Sequence, residues 1–222
     1  MLVDLEKKKL QFSSESSINK AIVICSHERS GTHFLMNSIA YNSNYSVEPF
    51  INFDYLPLGD IVNFHKPDNV HNFIEKISYV EKDNIKYGLS SLIKSHHPAY
   101  IFKSCFNSDD IIFFYIHRNP IDTLLSYWNF INHWDWHEGP KEQNPINFVK
   151  SIPEGQMQRY QKKSYDSIFV RWANHVSEWV EISKKYKNIY LVKYHDLDND
   201  FDRSMNDILS FVGLSCEKII RP

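Results

Sequence analysis

Two short apolar runs decide what this chain can fold into. AIVIC at 21–25 and IIFFYI at 111–116 are continuous and rich in β-branched residues. That is the pattern of a strand buried on both faces, not the alternation of a half-exposed one. Each run stops at a polar turn, SHERSG or HRNP, and each is followed by apolar residues at helical spacing, in GTHFLMNSIAYN and IDTLLSYWNFI. Pro120 falls near the first turn of the second helix, where its missing N–H costs nothing. Parallel neighbours need such crossovers, because the chain must return to the same end of the sheet before the next strand begins.

The remaining segments extend this alternation. YGLSSLIKSHHP reads as a short strand entering a turn stopped by Pro98, and NIYLVKY as another strand. Helices are expected over 68–82, over 166–187, and over 200–212 with Met205, Ile208, Leu209 and Val212 inward and Gly213 as the stop. On the long helix, Phe169, Trp172, Val176, Trp179, Val180 and Ser183 fall on one stripe, which predicts the buried face. Residues 1–19 read as a charged, Ser-rich arm. Residues 45–68, with Pro49, Pro57, Gly59 and Pro67 among aromatic residues, read as a long aromatic loop, and 132–165 as a connection with two short helices. The fold class implied is α/β in three layers: a mainly parallel central sheet, helices on both faces, and a P-loop-like turn after the first strand.

A chain of 222 residues with 42% hydrophobic content can bury one sizeable core, so residues 1–222 are expected to form a single domain. A formal net charge of -2 excludes a globally basic nucleic-acid-binding surface. Cys25, Cys105 and Cys216 are widely spaced and form no C-x-x-C pair, which fits reduced thiols inside a cell. No apolar stretch approaches the ~20 residues of a membrane helix, and MLVDLEKKKLQF lacks a basic-then-apolar leader pattern. These points predict a cytoplasmic protein without membrane insertion. In HWDWH, His133 and His137 are four apart around Asp135, but the nearby Gly and Pro argue against a helix presenting both. The two tryptophans there read better as a substrate wall than the histidines do as a metal site.

The turn SHERSGTHF at 26–34 carries the chemistry. Between a buried parallel strand and a helix, free backbone N–H groups and the positive end of the helix dipole face one point and favour an anion there. Gly31 permits close approach, and Arg29, Ser30 and Thr32 add donors. The first glycine of G-x-x-x-x-G-K-[ST] is absent, and the strand IIFFYIHR ends without the acidic residue that holds Mg²⁺ in P-loop nucleotidases. A metal-dependent kinase is therefore the weaker reading.

Further stretches give the turn a context. ERSGTHF resembles the 5′-phosphosulfate loop of sulfotransferases that use 3′-phosphoadenosine 5′-phosphosulfate (PAPS). YIHRNPIDTLLSYWNF resembles their 3′-phosphate motif, and IKSHHP is similar to the segment that carries the catalytic histidine in the cytosolic branch. HVSEWV and LVKYHDLDNDF resemble the late helix and strand end of the same family. The five stretches occur in family order over residues 20–214.

The resemblance implies a PAPS-dependent sulfotransferase with no metal and a small-molecule hydroxyl or amine acceptor of unknown identity. It places Arg29, Ser30, Gly31, Thr32 and His33 on the 5′-phosphosulfate, Arg118 and Ser126 on the 3′-phosphate, and Lys94 near the sulfuryl oxygens. Phe34 stands where an adenine-stacking Trp is usual and either stacks or packs in the core; Tyr194 either contacts adenine or is a buried strand residue. Arg29 replaces a lysine at the leaving oxygen, and its role is then electrostatic, since a guanidinium stays charged. His96 becomes the general base, with His97 as its rival.

Members of the cytosolic branch continue past FVGL to a basic Gly-rich segment around the 3′-phosphate. The sequence stops at CEKIIRP, so the expectation is that Arg221, Lys218 or another loop supplies that contact, that cofactor binding is weaker, or that the sequence is a piece of a longer chain. The alternative is a nucleotide-binding protein of the same fold without transferase activity. Oligomeric state is not legible.

Overall fold

A computed structural model of the chain describes residues 20–55, 70–71, 74 and 90–222. The expected arm over 1–19 lies outside the described residues. So does most of the helix expected over 68–82, of which positions 70, 71 and 74 are described and helical.

Among the described residues, five strands form one sheet: β1 (Ala21–Ser26), β2 (Tyr45–Asn52), β3 (Ser90–Ser95), β4 (Ile111–His117) and β5 (Ile189–Lys193), in the order β2-β3-β1-β4-β5. All four pairings are parallel. The helices whose bounds fall among the described residues are α1 (Thr32–Tyr41), α2 (Pro120–His133), α3 (Pro145–Lys150), α4 (Ile168–Ser183), α5 (Tyr194–Asn199) and α6 (Phe201–Phe211), with 3₁₀ turns at Phe53–Tyr55, Ala99–Cys105 and Gly155–Tyr160.

Alternation along the buried strands sorts their side chains to two cores. Val23, Cys25, Ile93, Phe113 and Tyr115 pack with Phe102 and with Trp179 of α4. Ile22, Ile24, Leu92, Phe114 and Ile116 pack on the other face with Leu35 and Ile39 of α1 and Met205 and Leu209 of α6. Three layers follow from the period of two in a strand meeting apolar stripes of helices. A smaller cluster, with Leu124, Tyr127, Phe148 and Ile168, ties α2, α3 and α4 together.

Three expectations fail here. Residues 45–52 are not loop but the edge strand β2, whose pairing with β3 shifts register between Ser46 and Ile51. Pro49 sits within that irregular stretch; an edge strand with a register break tolerates a residue that donates no ladder hydrogen bond. The buried face of α4 is also rotated from the expected stripe. It is Ile168, Arg171, His175 and Trp179, while Phe169 is 47% exposed. Hydropathy passes over a face that buries an arginine and a histidine, and both have partners described below. Tyr194 opens α5 instead of closing a strand.

Candidate active site

Strand order places the site. From β1 the chain reaches β2, returns to β3 beside β1, then crosses β1 to β4. The connection leaving β1 leads to the β2 edge and that leaving β4 to the β5 edge, so they diverge between these two neighbours, and such a point opens a crevice beyond the carboxyl ends of the strands. A cleft of about 490 Å³ lies there, lined among others by Arg29, Gly31, Thr32, His33, Phe34, Lys94, His96, Arg118, Ser126 and Tyr194. Ten of the eleven residues singled out in the sequence thus share one wall system. The eleventh, Ser30, lies beneath the turn, its hydroxyl buried and without a hydrogen-bond partner.

The turn itself is shaped for an anion. Arg29 has φ 66 and is the one non-glycine with positive φ among the described residues; Gly31 follows with φ 101. Gly31 caps α1 without a side-chain hydrogen bond, and the first turn of α1 carries no acidic residue. The N-terminal amides of α1 are therefore left to a ligand. A Cβ on residue 31 would lie 2.4 Å from Cδ2 of Tyr194, so only glycine fits this close approach.

Arg29 Nε donates to Ser126 Oγ at 3.2 Å, and its guanidinium lies 5.1 Å from the Phe130 ring centroid. Arg118 pairs with Asp122 at 3.1 Å and stacks over Tyr194 at 4.6 Å, while its buried Nε has no partner. Asn119 caps α2 by accepting from the Asp122 N–H at 2.9 Å, which fixes Arg118 at the strand end. Lys94 is nearly buried, 3.9 Å from an Asp54 oxygen; burial lowers its pKa and the Asp54 carboxylate opposes that shift. His33, on the rim, meets the Phe50 ring edge-on; its pKa is lowered by burial and by Lys94 and Arg29.

Of the two candidate bases, His96 lines the cleft and His97 does not. The His97 ring packs edge-on against Phe53 and Tyr160. His96 is held on three sides. Its backbone N–H donates to both oxygens of Asp54, at 3.0 and 3.1 Å. Its carbonyl oxygen accepts from Nε2 of His175 at 3.1 Å, and Nδ1 of His175 is 2.9 Å from the Tyr115 hydroxyl. Its own Nδ1 lies 3.0 Å from the Ser26 carbonyl oxygen. A carbonyl only accepts, so Nδ1 carries the proton and Nε2 keeps its lone pair; the network assigns this tautomer. Burial, with Lys94 adding to it, pulls the imidazole from 6.5 to about 3, against the opposing charges of Asp54 and Glu28.

Sequence reading missed the supports of these groups. Asp54, inside the supposed loop, has a fully buried carboxylate that also accepts from Ser95 Oγ at 2.9 Å and from the Tyr160 hydroxyl at 3.3 Å. Glu28, within the turn, is held by Arg171 of α4 through bonds of 2.7 and 3.1 Å and accepts from the Tyr127 hydroxyl at 2.9 Å. Burial would raise the Glu28 pKa, but Arg171 outweighs it and holds the carboxyl well below the usual range. His27 Nε2 accepts from Arg171 at 2.8 Å, and burial lowers its pKa to about 4. The cleft is also lined by Phe50, Phe130, Trp134 and Tyr160 and by the pair Glu138–Arg159, 2.8 Å apart, of which Glu138 is buried and Arg159 partly exposed.

The segment HWDWH divides. Trp134 lines the cleft, while Trp136 is 55% exposed and donates to Glu138. No cluster of three or more metal-ligating side chains occurs among the described residues.

The sequence profile of the sulfotransferase domain matches residues 19–221. The chain belongs to the sulfotransferase family. It is 30% identical over 124 residues to sulfotransferase 1A1 of Rattus norvegicus, a match covering 56% of this chain and 38% of that protein. Cytosolic sulfotransferase 1 of Danio rerio is 29% identical over 126 residues, again 56% of this chain and 38% of the relative. In three dimensions the chain superposes on a mouse sulfotransferase solved with PAP, with a TM-score of 0.56 and 21% identity over 97% of this chain and 64% of the other. Retinol dehydratase, solved with retinol and PAP, gives a TM-score of 0.53 at 15% identity, covering 96% of this chain and 65% of the other. These structures establish the fold, and the chain spans about two fifths of the length of these two relatives and less than two thirds of these two solved proteins.

Proposed function

We propose that the protein transfers the sulfuryl group of PAPS to a hydroxyl oxygen of a small-molecule acceptor. One observation carries the reading: three cations, Arg29, Lys94 and Arg118, converge with the open N-terminus of α1 and the imidazole of His96 on one cleft. Three cations and uncapped amides suit a ligand with phosphate at both ends. The buried Arg118 Nε, which lacks a partner, supports the fit. The names of relatives and the PAP complexes of fold neighbours support PAPS as the donor.

Bound PAPS would supply an electrophilic sulfur and a phosphate leaving group. Thr32 and the amides of α1 hold the 5′ end, with Ser30 beneath them, and Arg118 with Ser126 holds the 3′-phosphate. Phe34 and Tyr194, which pack on each other at 5.9 Å between ring centroids, would offer an aromatic face to the adenine. Arg29 would stand beside the leaving oxygen and Lys94 beside the sulfuryl oxygens, so growing negative charge would meet fixed cations. Nε2 of His96 accepts the acceptor's hydroxyl proton as the oxygen attacks. Phe50, Phe130, Trp134 and Tyr160 offer apolar area to the acceptor, which makes alcohols with an apolar body the first class to screen; the retinol complex of a fold neighbour supports that choice. Free Cys25, Cys105 and Cys216 support a cytoplasmic setting.

Calorimetric titration of 3′,5′-adenosine bisphosphate into wild type and Arg118→Ala, with and without Mg²⁺ and with ATP as control, tests the reading. Metal-independent binding that prefers the bisphosphate and collapses in the variant is expected. Preference for ATP with Mg²⁺, or no binding, refutes it.

A further inference from the structure

Ser26 closes β1 directly under the phosphate turn. It is fully buried and touches both the turn and the candidate base. Its hydroxyl lies 2.6 Å from that of Thr32, itself nearly buried, and 3.2 Å from Nδ1 of His96, while its carbonyl oxygen is 3.0 Å from the same nitrogen. We propose that Ser26 is a positioning residue that couples an anion in the phosphate turn to His96, through a hydroxyl relay running Thr32, Ser26, His96. The inference rests on the reading of the cleft as a PAPS site.

Proton counting supplies the direction. Each hydroxyl has one proton to give, and between Ser26 and Thr32 it can point either way. An anion at the start of α1 accepts the Thr32 proton, because a charged acceptor forms the stronger bond. Ser26 must then donate to Thr32, and its own oxygen is left to accept from Nδ1–H of His96 together with the Ser26 carbonyl. Bonds in such a chain polarise one another. The acceptor side of Nδ1–H becomes richer, which holds the tautomer that leaves Nε2 basic and favours the protonated ring.

The unliganded setting shows why such support matters. The groups facing His96 are Lys94 near the end of β3, Asp54 from the 3₁₀ turn after β2, Glu28 from the phosphate turn, Tyr160 edge-on at 5.7 Å, and His175 of α4 on its carbonyl. Burial and Lys94 prevail over the two carboxylates and leave the imidazole a weak base. A relay fed by the bound anion strengthens the base when donor is present and leaves it weak when the turn holds none.

The test reads the His96 pKa directly. Long-range ¹H–¹⁵N NMR of the imidazole is followed against pH, with and without saturating 3′,5′-adenosine bisphosphate, in wild type, Ser26→Ala and Ser26→Thr. The ligand's own charge raises the pKa in every variant, so the relay is the difference between them. The expected result is a ligand-induced rise cut by about half in Ser26→Ala and recovered in Ser26→Thr, with bisphosphate affinity within about threefold of wild type. If Ser26→Ala does not fold, Thr32→Val cuts the relay at its other hydroxyl and carries the same expectation at saturating ligand. An equal rise in wild type and the hydroxyl-deleted variant overturns the relay alone. Failure of wild type to bind the bisphosphate overturns the PAPS reading and the relay with it.

Discussion

Replacing Arg171 with Met separates the electrostatic support of the phosphate turn from its packing. Arg171 is 2% exposed and Glu28 6%, and the pair is bidentate, with bonds of 2.7 and 3.1 Å. Methionine keeps most of the side-chain volume, so the main effect is an uncompensated carboxylate in the interior. Breaking a buried pair on one side costs about 3–5 kcal/mol, far more than the ~1 kcal/mol of a surface pair. For a chain of this size each kcal/mol moves Tm by about 2–4 °C, so a loss of roughly 6–20 °C is expected at pH 7. Glu28→Gln with Arg171→Met removes both charges and should regain much of the loss.

The pH dependence checks the cause. In wild type Glu28 has a folded pKa held below its unfolded value of 4.5. Its stabilisation is present above that value and fades as pH falls below it. In Arg171→Met, desolvation raises the folded pKa above the unfolded one, so the sign reverses: the penalty is full at high pH and is relieved as the carboxyl protonates. Urea unfolding of both proteins between pH 7.5 and pH 5 reads the difference. A single variant that loses less than about 1 kcal/mol, or that shows no gain relative to wild type on acidification, refutes the argument.

Three further outcomes are expected. Asp54→Asn puts an amide donor where His96 N–H, Ser95 Oγ and the Tyr160 hydroxyl all donate, so transfer should slow by roughly 10–100-fold with bisphosphate affinity retained, measured by steady-state kinetics and calorimetry. Gly31→Ala combines a Cβ 2.4 Å from Tyr194 with φ 101; a loss of about 1–3 kcal/mol in urea unfolding and weaker bisphosphate binding are expected, with partial recovery on adding Tyr194→Ala. Burial lowers the pKa of His27 and His97 to about 4 and of His175 to about 3, so the unfolded chain takes up their protons first. Stability is then intact above pH ~6.5 and falls between about 6.5 and 4, by up to ~3 kcal/mol per histidine; a flat urea midpoint across that window contradicts it.

What could be read from the sequence, and what could not, divides along contact distance in the chain. Strands β1 and β4 are apolar runs bounded by their own turns, and local pattern alone marks Arg29, Gly31 and Thr32 as an anion turn; the other cleft residues, Arg118 and Ser126 among them, are legible through the family resemblance of the stretches beside those strands. Their supports have no local signature. Asp54 meets His96 across 42 residues and Arg171 meets Glu28 across 143, and each looks like an ordinary surface charge until the sheet order brings the partners together. The misplaced stripe on α4 has the same origin, because Arg171 and His175 are buried by polar partners and a hydropathy pattern cannot count those. Pro49 hid β2 for a related reason: it forbids a central strand but not an edge strand with a register break. In this protein the groups that would touch a ligand sit beside the strands that carry them, while the groups that hold them in place come from elsewhere in the chain. Substitutions in that second set should therefore disturb the cleft without altering any residue that a motif would flag, which is the behaviour that Arg171→Met and Asp54→Asn put to the test.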